Sequence, residues 1–433
     1  MKTRKTLPEH KSLINNYIFD VFLWIGEVLH LDMAYFARGS YYGALQQIIG
    51  LLSGFGVSYL FGHFVSKTVF GEYNLILSIV AMLTFFSLPG IDDALTQSVG
   101  KGHDASFQHA LQKKLKFSQI GSIILLIIAV YYGVNRERGL AWGSVTAAIF
   151  YPYLNAFPLY INFLNVKKQF SKLAFISIAS SLTFLGLMAL VAISRATTLK
   201  LTLAYLTGIT LPALIGYWYS LRFIKKKSVP DSRLVSYGSF LTVISVLPWI
   251  SGNLGNVILG NTLGPEALAV FVVANRFLAT VQKNFIVFYN PISAKLATQT
   301  DSGHYETLKI HLFKFILIGV GLFVALWISL PYLIRFFYPI YPEAVTYGKF
   351  LSFALIPLPI TWVLHDIVLF QKRRNIQVLS STLPQIIKIG LYIILIPVWK
   401  IDGLIAATLF ERYFGLAVLA LVMVVKRPHK VVL

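Results

Sequence analysis

Apolar residues run in long stretches along this chain, separated by short polar gaps. The stretches fall at roughly 39–64, 72–91, 117–133, 140–163, 173–193, 201–222, 234–260, 267–290, 312–330, 346–370, 377–398 and 403–425. Each approaches the ~20 residues with which a helix rising 1.5 Å per residue crosses a bilayer core. The pattern predicts an all-α integral membrane protein with twelve transmembrane helices. One earlier segment differs: Ile14, Tyr17, Ile18, Val21, Phe22, Ile25, Val28 and Leu29 recur at helical spacing, with Asn15, Asn16, Asp20 and Glu27 elsewhere on the wheel. So interrupted a run predicts an amphipathic helix over 13–31, lying at the membrane interface or packed on the protein itself. The gap at 92–116 is expected to hold a short helix, Phe107 to Lys116.

The basic residues gather in every second gap. Of 38 lysines and arginines, 26 fall in one alternating set of gaps and 8 in the other. The rich set includes Arg38, Lys113, Lys114, Lys167, Lys168, Lys225, Lys226, Lys227, Arg373 and Arg374; the poor set includes Lys67, Arg136, Lys349 and Lys400. Cytoplasmic loops carry the excess of basic residues, so both termini are expected in the cytoplasm and the number of spans is even. Four basic residues are left inside apolar stretches: Arg276, Lys283, Lys388 and Arg412.

Weak internal similarity divides the spans into two sixes. Ser53-Gly54 followed by Gly62 recurs as Ser251-Gly252 followed by Gly260, at an offset of 198, and Tyr73 then aligns with Phe271. Six is an even number, so such repeats are parallel and related by an axis along the membrane normal. The polar run Lys225 to Asp231 reads as the linker between them. The expected organisation is a cytoplasmic N-terminal segment at 1–37, an N-lobe at 38–228 and a C-lobe at 229–433.

Composition narrows the function classes. The chain is 56% hydrophobic and 13% charged, against ~25% charged in a soluble domain. Its net charge of +21 is spread over short loops and forms no basic domain. That suits anionic membrane lipids as partners and argues against nucleic acid. There is no cysteine, so no thiol chemistry arises. No phosphate-binding loop, HExxH helix or DxD motif is present, so neither an enzyme nor a bound cofactor or metal is expected.

The intramembrane polar residues carry the candidate chemistry. Arg276, Thr280 and Lys283 share one helix face, with Asn290 two turns further. Two cations without an intervening acid suggest an anion-binding wall, because arginine holds phosphate bidentately and lysine supplies a point charge. Snorkelling toward the cytoplasm is the plainer reading of Lys283. Ser381, Gln385, Lys388 and Tyr392 form a second polar stripe. Pro248, Ser251, Gly252, Gly255 and Asn256 in span 7, and Gln46, Gly50, Ser53, Gly54 and Ser58 in span 1, are small-residue stripes. They serve either tight helix packing or a bendable cavity wall. Arg412 and its neighbour Glu411 are each expected to pair across helices, since adjacent helix residues do not face each other. His365 and Asp366 form either an ion-coupling relay or, for Asp366, a pair with Arg373 or Arg374; Glu411 is a second coupling candidate. Asp92 and Asp93 follow Pro89-Gly90, where they either cap a short helix or sit at a cavity mouth.

Three segments stand out: Phe70-Gly71-Glu72-Tyr73-Asn74-Leu75, Leu88 to Val99, and Val257-Ile258-Leu259-Gly260-Asn261-Thr262-Leu263-Gly264-Pro265-Glu266-Ala267-Leu268. In order and spacing they resemble Wzx-type polysaccharide flippases of the multidrug/oligosaccharidyl-lipid/polysaccharide exporter superfamily. The resemblance extends over roughly 35–425. It implies two six-helix lobes around a central cavity, working by alternating access. It implies a bacterial inner-membrane protein that carries undecaprenyl-diphosphate-linked oligosaccharide to the outer leaflet, beside polysaccharide polymerase machinery. Arg276 then resembles the family's cavity arginine, with Lys283, Lys388, Arg38, Thr280, Gln385 and Asn256 around the substrate, and Gly54, Pro248, Gly252 and Gly255 as hinges. Where many relatives have an acidic residue late in span 7, this chain has Gly255 and Asn256. A cation-coupled drug exporter of the same fold and a non-transporting assembly factor are the alternatives.

Overall fold

The computed structural model describes residues 33–225, 228–371 and 374–425. The segment expected to be an amphipathic helix, 13–31, lies outside the described residues, as does the side chain of Arg38. The described residues are helical, without strands, and include ten helices long and apolar enough to cross a membrane.

The helices are α1 (Met33–Phe64), α2 (Lys67–Leu83), α3 (Gly90–Gly100), α4 (Ser106–Val134), α5 (Arg138–Ala156), α6 (Leu159–Val166), α7 (Phe170–Ile193) and α8 (Thr198–Ser220). After the linker come α9 (Leu234–Thr262), α10 (Pro265–Ala297), α11 (Asp301–Phe337), α12 (Ala344–Ser352), α13 (Leu358–Phe370) and α14 (Arg374–Val425). Several apolar stretches are broken. Span 2 ends in a 3-10 turn, Thr84–Ser87, after which Leu88 takes a left-handed conformation at φ 55° and α3 begins. Span 4 divides at Phe157-Pro158 into α5 and α6, because Pro158 brings no N–H to continue the ladder. Helix α14 runs 52 residues but reverses at Lys400, whose φ of 57° and ψ of −131° are not helical.

The short helix expected from Phe107 to Lys116 does not stand alone. It is the first third of α4, whose 29 residues continue into span 3 without a break. Phe107 is fully buried and stacks on Phe163 of α6 at 4.4 Å. Lys114, though counted among the loop cations, is buried and paired with Asp92 at 2.5 Å. Asp92 and Asp93 lie in the first turn of α3, where a negative charge suits the helix dipole.

Contacts join the alternating gaps into two surfaces. In the basic set, Asp104 accepts from Lys167 at 2.5 Å and from the backbone N–H of Lys225 at 3.3 Å. The linker also docks there: Ser98 donates to Asp231 at 3.0 Å, and Ser228 accepts from the Ala105 N–H at 3.1 Å. In the other set, Lys67 pairs with Glu343 at 2.5 Å, and Thr68 donates to Glu266 at 2.7 Å.

Within the first half α1 packs along α7, and α5 along α4 and α8; within the second α9 packs along α14, and α10 along α12 and α13. The halves meet where α2 lies against α10 and where α9 lies against α2 and α3. Helices α2 and α10 touch backbone to backbone: a Cβ on Gly71 would stand 1.8 Å from the Pro265 carbonyl oxygen, so no larger residue fits. Lys67 and Pro265, which begin these two helices, are 198 residues apart, the offset of the sequence repeat.

Candidate functional site

Between α1 and α10 the two halves separate and leave a cleft. Its upper part, about 270 Å³, is walled by Gly50, Leu51, Gly54, Phe55 and Ser58 on α1, and by Arg276, Ala279, Thr280, Lys283 and Asn284 on α10. A second space of about 210 Å³ continues from it past Gln46 and Gln47 to Ser177 and Ser181 of α7. Gln47 Nε2 bridges the cleft to Asn284 Oδ1 at 2.5 Å.

This arrangement follows from the sequence of each wall. On α1 the glycines recur one turn apart, and a Cβ on Gly50 or Gly54 would meet no atom within 4 Å, so the wall faces open space. On α10 the cations at i and i+7 stand nearly in line, because seven residues are close to two full turns. Both Arg276 and Lys283 are exposed to the cleft. Among the described residues neither has an acidic partner, and no aspartate or glutamate lines either space. Arginine and lysine at mid-helix cost ~2.5–3.5 kcal/mol to insert, so their charges need water or an anionic ligand.

Beyond Arg276, toward Lys67 and Glu343, aromatic rings fill the interface between halves. Phe55 stacks on Phe337 at 5.3 Å and Phe70 meets Tyr338 at 6.3 Å across it, while Phe61 braces Tyr73 at 5.6 Å from within the first half. Tyr73 and Tyr338 are buried. These rings present packed apolar surface at that end. The sequence does not signal these contacts, because phenylalanine and tyrosine in an apolar stretch do not reveal which half they touch.

Three candidate residues lie elsewhere. Lys388, Gln385 and Asn256 are not in the cleft. Lys388 and Asn256 line a separate polar cavity of about 170 Å³ inside the second half, with Asn275, Gln282, Thr408 and Arg412. There Glu411 Oε2 stands 3.7 Å from Lys388 Nζ and 3.5 Å from Arg412 Nε, while Gln385 donates to Oε1 at 3.2 Å. Glu411 thus pairs across helices as expected, while Arg412 meets its own sequence neighbour instead. Glu411 reaches both its sequence neighbour and a lysine on the preceding span, because long side chains bend past the helix geometry that separates their Cα atoms.

The span 7 stripe is spent on packing at three of its positions. Ser251 bonds Gln385, a Cβ on Gly255 would touch the Tyr392 ring at 3.0 Å, and Asn256 donates to Ser78 of α2 at 3.1 Å. Pro248 is exposed within α9, and Gly252 has open space beside it. Asp366 accepts from Tyr289 of α10 at 2.6 Å. The side chains of Arg373 and Arg374, its expected partners, lie outside the described residues.

Residues 36–297 match the model of a family described as polysaccharide biosynthesis protein. No curated protein matches the chain. Among solved structures, the inward-facing conformation of a multidrug resistance MATE family transporter of the MOP superfamily is similar at a TM-score of 0.64 and 13% identity, covering 88% of this chain and 95% of that one. Lipid II flippase MurJ, in an inward closed conformation, is similar at 0.58 and 15%, covering 90% and 88%. A MOP superfamily transporter from Pyrococcus furiosus is similar at 0.57 and 13%, covering 90% and 95%. At these identities the likeness speaks for the fold. With the family match over more than half its length, the chain belongs to the polysaccharide biosynthesis protein family and has the fold of MOP-superfamily transporters.

Proposed function

We propose that this protein is a flippase that moves undecaprenyl-diphosphate-linked oligosaccharide from the inner to the outer leaflet of a bacterial cytoplasmic membrane. The observation that carries this reading is the cleft between α1 and α10, which presents Arg276 and Lys283 with no acid beside them. A diphosphate is the ligand class that such a wall of donors favours.

Counting the break at Lys400 and the joined pair α5 and α6 as crossings, the chain passes the membrane twelve times. The basic surface then faces the cytoplasm, and the Lys67–Glu343 surface faces outward. The cleft in this state is open toward the inner leaflet and ends outward at the packed aromatic rings. The lipid tail stays in the bilayer between α1 and α10 while the headgroup enters. Asn284 adds a neutral donor beside the two cations, while the Thr280 hydroxyl is spent on the Arg276 carbonyl at 2.8 Å. Bending of α1 at Gly50 and Gly54, and of α9 at Pro248 and Gly252, lets the halves rock about their α2–α10 and α2–α9 contacts.

Lys388 takes a structural part in this scheme, since Glu411 already compensates it. An exporter of cationic drugs needs acidic side chains in its cavity, and the lining of this cleft has the opposite sign. Depleting the protein from its cell should accumulate lipid-linked oligosaccharide on the inner leaflet. Normal delivery to the outer leaflet in depleted cells would overturn the proposal.

A further inference from the structure

We propose that the groove between α10 and α13 is a subsite for a sugar ring, so that this protein recognises the glycan as well as the diphosphate of its lipid. This rests on the reading of the neighbouring cleft as a glycolipid path.

The groove has a volume of about 450 Å³, within the ~300–1,000 Å³ typical of small-molecule pockets. Tyr289, Asn290 and Ser293 line it from α10, and Trp362, His365 and Asp366 from α13. Its place follows from helix geometry. Asn290 stands seven residues after Lys283, which stands seven after Arg276, so the three lie along one line of α10. All three are exposed. The groove thus begins about 10 Å along the axis from Lys283. A ligand whose charged group sits at Arg276 and Lys283 extends naturally into it.

The two places differ in chemistry. The cleft wall presents cationic donors, which suit an anion. The groove mixes donors and acceptors: an amide, a hydroxyl, an imidazole and a carboxylate. Among the described residues the side chains of Asn290, Ser293 and His365 make no hydrogen bond, so their capacity is free for a ligand. Sugar hydroxyls each donate and accept, and the C–H faces of a pyranose rest on aromatic rings. Trp362 supplies such a ring. It is half-buried and held by Tyr289 at 5.1 Å and Phe285 at 5.4 Å between centroids. Tyr289 also fixes Asp366 through its Oδ2, leaving Oδ1 as an acceptor in the groove. Polar groups held in place before binding lose little entropy on capture, which is what a specificity site requires.

The test uses the full-length protein in lipid nanodiscs and two probes: undecaprenyl diphosphate, and the same lipid carrying one N-acetylhexosamine. Wild-type protein should bind the sugar-bearing lipid more tightly. Asp366→Asn should weaken that binding about tenfold while leaving the bare lipid within about twofold. Asn290→Ala should act in the same direction. Its side chain is exposed and unbonded, so this variant keeps the fold even where Asp366→Asn does not. Arg276→Ala should weaken both lipids alike. Equal affinity of wild-type protein for the two lipids, or parallel losses for both in the groove variants, would overturn the sugar subsite alone. A parallel loss with an altered pH dependence of transport in Asp366→Asn would assign Asp366 to ion coupling and likewise overturn it. Wild-type protein that binds neither lipid would instead overturn the glycolipid reading itself.

Discussion

Thr68 and Glu266 lie 198 residues apart, the offset of the sequence repeat, and they touch: the Thr68 hydroxyl donates to Glu266 Oε1 at 2.7 Å. Equivalent residues of a two-fold repeat meet only near the axis that relates them. An axis relating the repeats at that offset would pass by this contact, at the surface that also carries the Lys67–Glu343 pair. Movement of one half against the other has to part or pivot these contacts. Because the chain contains no cysteine, a pair can be placed there in the native background. Thr68→Cys with Glu266→Cys, joined by a short cleavable bis-thiol reagent, should stop transport, and cleaving the linker should restore it. Undiminished transport in the cross-linked protein would show that this end does not open.

Arg276 makes no salt bridge among the described residues, so its replacement removes a ligand contact without exposing a partner. Arg276→Ala should lower apparent affinity for a polyprenyl diphosphate by about 10- to 100-fold, the worth of ~1.5–3 kcal/mol in hydrogen bonds to a charged group. Membrane abundance and thermal stability should be unchanged. Arg276→Lys should recover only part of the affinity, since an ammonium group lacks the bidentate fork. Binding titration alongside a thermal melt separates the two effects.

Glu411 should behave in the opposite way. Glu411 and Lys388 are buried, at 7% and 8% exposure, and Glu411→Gln leaves Lys388 without its carboxylate. Breaking a buried pair from one side costs ~3–5 kcal/mol. The variant should show a clearly lowered melting temperature, and the double change Lys388→Met with Glu411→Met should restore much of it. Loss of transport at full stability would instead give Glu411 a part in coupling.

The linker at the basic surface carries a pH signature. The backbone N–H of Arg233, at 2.9 Å, and then the Ser98 hydroxyl, at 3.0 Å, hold the Asp231 carboxyl below the usual carboxylate range. A depressed folded value contributes stability that is present above the unfolded value and lost as pH falls through the folded one. Docking of residues 228–234 should therefore persist at neutral pH and down through the ordinary carboxylate range, then loosen in stronger acid. Amide hydrogen exchange across that segment, corrected for intrinsic rates, reads this directly. Asp231→Asn should remove the acid step.

Much of the fold was legible because lipid imposes simple demands. Long apolar runs marked the helices, and the alternation of basic gaps paired loops that the structure joins, such as those of Lys167 and Lys225. The breaks were harder to see. Leu88 and Lys400 adopt left-handed φ values without being glycine, so only their surroundings hold them there. At the site, Arg276 and Lys283 stood out because charge is rare in such helices and their spacing put them in line. Lys388 stood out equally but points elsewhere, since a helical wheel shows which residues share a face and not which helix that face meets. In the α10–α13 groove Asn290, His365 and Asp366 stood out singly, but nothing joined them: Tyr289 and Asp366 are 77 residues apart and meet only in the folded bundle.

The most direct measurement places purified protein in vesicles that hold a labelled undecaprenyl-diphosphate-linked oligosaccharide in both leaflets. An impermeant reagent added outside then reports how much lipid becomes accessible over time. With wild-type protein the whole pool should become accessible, while Arg276→Ala should leave the inner-leaflet half protected, as in protein-free vesicles. Wild-type vesicles that protect that half, or Arg276→Ala vesicles that expose it as fast as wild type, would contradict a flippase working through this cleft.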